Sequence, residues 1–249
     1  MAPSENLTNQ PSRGIWQSNN LEYMNTIALL SLLQLADSQV PIGSAAHSFG
    51  LESLTAEGSV TVEDLHQFLV DYLAETGRRD AVYCRGAHQL ADLPDKLFTS
   101  EWLTLNQELS AWHAARESRA ASATMGRRFL QFAANLSENP RFAAALGAAR
   151  EATTDVHHAT AFGLVGSALG LTEEEAGLVY LQQNIMTLVS AAQRLLPLGQ
   201  ARAGALIWQL QSSVEQAVAT SKGSVYSWTP MLDIASMRHP RLMTRLFIS

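Results

Sequence analysis

The residues best equipped for chemistry in this chain are its histidines, and two of them, His157 and His158, are adjacent. A transition-metal site needs several such ligands converging on one point. Neighbouring positions on a helix diverge by about 100°, so these two imidazoles do not converge on one ion. Few partner ligands surround them, and the pair reads as one surface and one packed histidine. His113 and Glu117 are four residues apart and could share a ligand from one helix face, but Trp112 and Arg116 beside them favour an ordinary helix surface. Asp37, Ser38, His47 and Ser48 supply the residue types of a hydrolase triad. No nucleophile elbow or oxyanion-hole motif accompanies them.

Other motifs are missing too. The chain has no GxxxxGK[ST] phosphate loop, no GxGxxG after a strand, no HExxH and no CxxC. Its single cysteine, Cys84, rules out an internal disulfide framework and any zinc site built on two thiolates. One free thiol fits a reducing compartment. The expectation is therefore no catalytic residue, no metal ligand set and no cofactor, in a protein that works by holding other proteins.

Composition agrees. The 249 residues are 47% hydrophobic and 16% charged, enough to bury a sizeable core. A net charge of −6 argues against a nucleic-acid partner, which would require a basic face. Only Lys96 and Lys222 are lysines among the 17 cationic residues. Arginine's planar, weakly hydrated fork suits protein interfaces. The polar first 20 residues have no apolar signal core. The apolar run Ile27–Ala36 is about half of the ~20 residues a bilayer crossing needs. The expected location is the cytoplasm, with no membrane contact.

Helices must position these residues. Residues 1–22 read as a flexible tail, and residues 23–249 as one all-α domain, a single-domain bundle of roughly eight to ten helices. A helix is expected from about Asn25 to Asp37, ended by Pro41 and Gly43. A short one restarts at Gly50-Leu51-Glu52 and stops at Gly58. Thr61 with Asp64 resembles a capping box, followed by an apolar face of Leu65, Phe68, Leu69, Tyr72 and Leu73. A long helical stretch is expected from about Ser100 to Asn135, closed by Pro140. Thr172 and Glu175 form a capping box ahead of Leu181, Ile185, Leu188, Val189, Ala192 and Leu196. Ala203, Leu206, Ile207, Leu210, Val214 and Ala217 line the next helix. No segment alternates like a strand.

Two segments ask for more than packing. Between Leu29 and Glu52, Pro41, Gly43 and Gly50 predict a loop of fixed shape that presents His47 and Ser48, or else a plain connector. The second segment, within a tail over 222–249, is rich in Arg, Met, Leu and Phe. Leu242, Met243, Leu246 and Phe247 would form an apolar stripe on a short helix. Arg238, Arg241 and Arg245 would form a cationic one. Such a tail is either a partner-binding segment, mobile alone, or a last helix docked on its own core.

At this point the chain resembles the F-type urease accessory proteins (UreF). Leu32, Leu33, Gln34, Leu35, Pro41, Gly43, Ser48, Gly50, Leu51 and Glu52 are similar to that family's LLQLxxxxxPxGxxxxSxGLE. Glu117, Arg119, Ser122, Met125 and Gly126 resemble its ExRxxSxxMG, and His158, Ala161, Gly163 and Gly170-Leu171 its HxxAxGxxxxxxGL. Ala191–Gln200, which includes Arg194, looks like AAvRLxPLGQ. Asp233, Met237, His239 and the final Arg245-Leu246-Phe247 with Ser249 resemble its closing Asp…Met-x-His…RLF-x-Ser. Ser44-Ala45, Pro240 and Ile248 depart from the family.

The resemblance implies an all-helical homodimer that is not an enzyme. It would bind the D-type accessory protein (H in some species) and the GTPase UreG. The assembly would deliver nickel to apo-urease, coupled to GTP hydrolysis. On this reading the partner-binding residues are Pro41, Gly43, His47, Ser48, Gly50, Glu52, Arg119, Ser122, Arg194 and, in the tail, Met237, Arg238, His239, Arg241, Arg245, Leu246 and Phe247. The alternative is a divergent helical protein-binding scaffold with no link to urease.

Overall fold

A computed structural model of the protein describes residues 26–37 and 40–249. The tail expected over 1–22 and Ser38 of the triad-like set lie outside the described residues. Among those described there is no strand and there are twelve α-helical segments. The first six are α1 (Thr26–Leu35), α2 (Leu51–Ala56), α3 (Leu65–Tyr72), α4 (Arg78–Leu90), α5 (Asp95–Trp112) and α6 (Arg116–Leu136). The rest are α7 (Pro140–Glu151), α8 (His158–Ala168), α9 (Glu173–Leu195), α10 (Gln200–Gln209), α11 (Gln211–Ala219) and α12 (Pro230–Arg238). A π-helical turn, Leu73–Gly77, carries α3 into α4 without a break, and α10 meets α11 at Leu210, which leaves ten rods.

α8 is the axis of the fold. Every residue from His158 to Gly166 is buried, against α4, α6 and α9. Missing side chains make this possible. A Cβ on Gly163 would lie 1.9 Å from the Cys84 carbonyl oxygen, and one on Gly126 would lie 2.2 Å from that of Val156. The backbones of α4 and α8 therefore touch at Gly163, and at Gly126 α6 touches the backbone of the segment that leads into α8. Around them, Phe129 stacks on Phe162 with centroids 5.2 Å apart, and buried Trp102 donates its indole N–H to the Ala145 carbonyl at 3.2 Å.

Local signals act as expected where they are strong. Thr172 and Glu175 form the reciprocal capping box, and three glutamates occupy the first turn of α9, where the helix dipole favours anions. Asp64 accepts from the Thr61 N–H and hydroxyl just ahead of α3. Leu65, Leu69, Tyr72 and Leu73 are buried.

Three expectations are corrected. The long helix from Ser100 to Asn135 is two helices, broken at His113–Ala115, because buried His113 and Ala115 are pulled into the core there. Pro140 opens α7 and does not end α6: it occupies the first turn behind the Asn139 cap, where its missing N–H has no intrahelical role. The tail helix carrying stripes over 238–249 does not form. α12 ends at Arg238, a 3₁₀ turn follows over His239–Arg241, and residues 242–249 have no helix.

Candidate functional site: a loop that holds the tail

The Pro41–Glu52 loop and the C-terminal tail, some two hundred residues apart in sequence, form one unit. Pro41 is exposed and Ile42 buried. Gly43 (φ +85°) and Gly50 (φ +89°) sit in the left-handed region that glycine tolerates, and Gly50 ends the loop as the N-cap of α2. Gly50 is also where α12 crosses, since a Cβ there would lie 3.1 Å from the Leu232 carbonyl oxygen.

Tail backbone groups are satisfied by this loop. The buried Glu52 carboxylate accepts from the Leu246 N–H at 2.6 Å and the Phe247 N–H at 3.3 Å, and pairs with His239 Nε2 at 2.6 Å. The Ile248 N–H donates to the Ala46 carbonyl at 2.8 Å, and the Ser48 N–H to the Ser249 carbonyl at 2.6 Å. Ser48 Oγ also donates to the Ser249 carbonyl at 3.1 Å, and His47 Nδ1 meets Ser249 Oγ at 2.7 Å. Burial, then the nearby positive charge of Arg128 and the neighbouring His239, lower the pKa of His47. From outside, Arg194 donates to the carbonyls of Ala45 and Leu246 and lies 4.2 Å above the Phe247 ring.

These contacts give the loop and tail residues different jobs from one another. His47, Ser48, Glu52, His239 and Phe247 are buried inside the protein, so they hold the tail. Met237, Arg238, Arg241, Arg245 and Leu246 face outward. Arg238 makes an exposed pair with Glu57 at 3.3 Å.

The sequence reading missed the Trp228, Met231 and Ile234 part of the surface beside them. Trp228, Met231 and Ile234 are exposed large apolar residues, with Met237 continuing the row along α12 and Met243, Leu246 and Ile248 beyond it. The three-residue spacing of Met231, Ile234 and Met237 was the available signal, since it lines one helix face.

The histidines also need correction. His157 and His158 are both buried, not one surface and one packed. His157 is the N-cap of α8; its ring lies between Ser110 Oγ (2.7 Å) and Ser122 Oγ (3.0 Å), and its N–H donates to Asn106 Oδ1. Burial, with Arg79 and Arg119 nearby, lowers its pKa to about 3. His158 packs among Phe129, Phe162 and Tyr180, and burial alone takes it to about 4. His113 shares no helix with Glu117; it ends α5 and stacks on His157 at 5.2 Å. Burial first, then Arg79, His157 and Arg119, hold it well below its ordinary range.

Arg119 is half-buried on α6 beside these neutral rings. A narrow cleft with about 50 Å³ of room runs past His113, Ser122 and the buried Arg79–Asp80 pair. Among the described residues no group of three or more His, Cys, Asp or Glu is arranged to hold a metal ion. None of their helices is long and apolar enough to cross a membrane.

Comparison with known proteins agrees with this chain-long pattern. The UreF family profile matches residues 60–211. A urease accessory protein UreF of Bacillus sp. (strain TB-90) is 32% identical over 227 residues, covering 89% of this chain and 99% of the relative. Its counterpart in Picosynechococcus sp. is 34% identical over 230 residues, covering 88% and 99%. That of Paenarthrobacter aurescens is 31% identical over 235 residues, covering 91% and 100%. With a family profile over more than half of its length and relatives aligned almost end to end, the chain belongs to the UreF family of urease accessory proteins.

Proposed function

We propose that this protein is a cytoplasmic, homodimeric assembly factor for urease. It binds the D-type (H-type) accessory protein and the GTPase UreG and, through that complex, apo-urease. The complex couples GTP hydrolysis to the delivery of nickel, which is cargo and not a resident cofactor. The chain contributes surfaces, not reacting groups.

The observation that carries this reading is the concentration of exposed large apolar residues in the last stretch of the chain: Trp228, Met231, Ile234, Met237, Met243, Leu246 and Ile248. Contiguous apolar patches are uncommon on monomers and mark contact sites. Exposed Arg241 and Arg245 beside it are of the type enriched at interface anchors. Flexible, polarizable methionines suit such a surface. The tail needs no helix for this role, because the loop already holds it in place. We assign this face to the D-type protein.

Mixing this protein, the D-type protein and UreG should give one ternary species in size-exclusion chromatography, and that species should activate apo-urease when nickel and GTP are supplied. A chain lacking residues 242–249 should elute without the D-type protein. Full assembly by the shortened chain would remove the tail from the interface.

A further inference from the structure

We infer that Glu52 is a positioning residue: its buried carboxylate sets the register of the tail, and thereby which side chains the tail offers to a partner. The inference rests on the docking reading above.

The exposures alternate along the end of the chain. Leu246 is 53% exposed, Phe247 5%, Ile248 72% and Ser249 7%. The chain bends at Leu246 and Phe247, so that Phe247 and Ser249 turn down into the protein while Leu246 and Ile248 stay outside. No neighbouring strand pins it. The register is set by Glu52 beneath Leu246 and Phe247, and by the Ala46 carbonyl beneath Ile248.

A slip of one residue would exchange the buried and exposed positions, turning Phe247 out and Leu246 or Ile248 in. The face would then have a different shape, although the composition would be unchanged. Burial makes Glu52 selective. A carboxylate out of water needs its donors, and it has three: two backbone N–H groups and His239. His239, itself fully buried, fixes the start of the tail on the same carboxylate that fixes its end. Arg194 clamps the strap from the solvent side, where its contacts count for less.

Glutamine at position 52 would direct an N–H₂ group at donors. In the full-length chain, Glu52→Gln should speed hydrogen exchange at the Leu246 and Phe247 amides and weaken the D-type protein about tenfold or more, the scale of a charge-assisted hydrogen bond. The helical melt should remain.

Ile248→Pro tests the register without touching the interior. It removes the N–H given to Ala46 and should likewise loosen the tail and weaken binding. Ile248→Ala keeps that N–H and should weaken binding while leaving exchange at Leu246 and Phe247 unchanged. Unchanged protection in folded Glu52→Gln overturns the inference. So does lost protection with full affinity in either Glu52→Gln or Ile248→Pro. The deletion of 242–249 separates the two claims. If it leaves affinity intact, the docking reading fails and takes this inference with it. If it abolishes binding while Glu52→Gln and Ile248→Pro bind normally, only the register claim fails.

Discussion

His157 lies at the start of α8 between two serines, and Glu52 lies at the start of α2 beneath the tail. Both are buried polar groups at helix N-termini, but their surroundings differ. His157 is neutral, its own backbone is packed on Gly126 of α6, and α8 touches α4 at Gly163, so its position is fixed many times over. Glu52 has three donors, all supplied by the segment that follows α12. The first arrangement makes a core. The second holds an apolar surface in water without dissolving it into the core. Substitutions near α8 should therefore change stability, and those around the tail should change association.

The largest effect should come from Gly163→Ala. Its Cβ has no space against the Cys84 carbonyl, and overpacking of this kind costs about 3 kcal/mol or more. Urea denaturation, or failure to recover folded protein, would show it. Ordinary stability would mean that α4 and α8 can separate cheaply.

Acid should act next, through the same core. His157 and His158 have folded pKa values of about 3 and about 4, below their ordinary 6.5. Unfolding lets both take up protons below that value, so stability is full above pH 6.5 and falls as pH drops toward the folded values. By pH 5 the loss should be about 2 kcal/mol for each. His158→Phe, which suits an aromatic surround, should remove its share of the acid sensitivity seen in denaturation at pH 7 and pH 5. An unchanged slope would mean the ring is already charged or wet.

At the tail the sizes shrink and the measured property changes. Trp228→Ala should weaken the D-type protein by about 1–3 kcal/mol if it is a central anchor. Its stability should stay within about 0.5 kcal/mol, because the side chain is 80% exposed. Titration calorimetry and thermal melts would separate the two. Arg194→Ala should do least, under about 1 kcal/mol on either measure, because its contacts face solvent.

Much of the fold was legible where a local mechanism writes it. The Thr172–Glu175 box, the Gly50 restart and the α3 apolar face all formed. The break between α5 and α6 left no such mark: Ala114 and Ala115 are strong helix formers, and it is the packing of His113 on His157 that turns the chain. The buried histidines were misjudged for the same reason, since Ser110, Ser122 and Asn106 come from other helices. At the tail, the helical stripe in the sequence was real as a pattern, but Glu52 takes the Leu246 and Phe247 N–H groups, which a helix would have used within itself, and the chain bends there instead. The motif residues were found; which of them face inward depended on contacts across two hundred residues.

Amide hydrogen exchange, with and without the D-type protein, tests the central claim most directly. New protection should appear along Trp228–Ser249, strongest near Met231–Met237 and Met243–Ile248, with α5 to α7 unchanged. Protection confined to those helices, with the tail exchanging as it does alone, would contradict it.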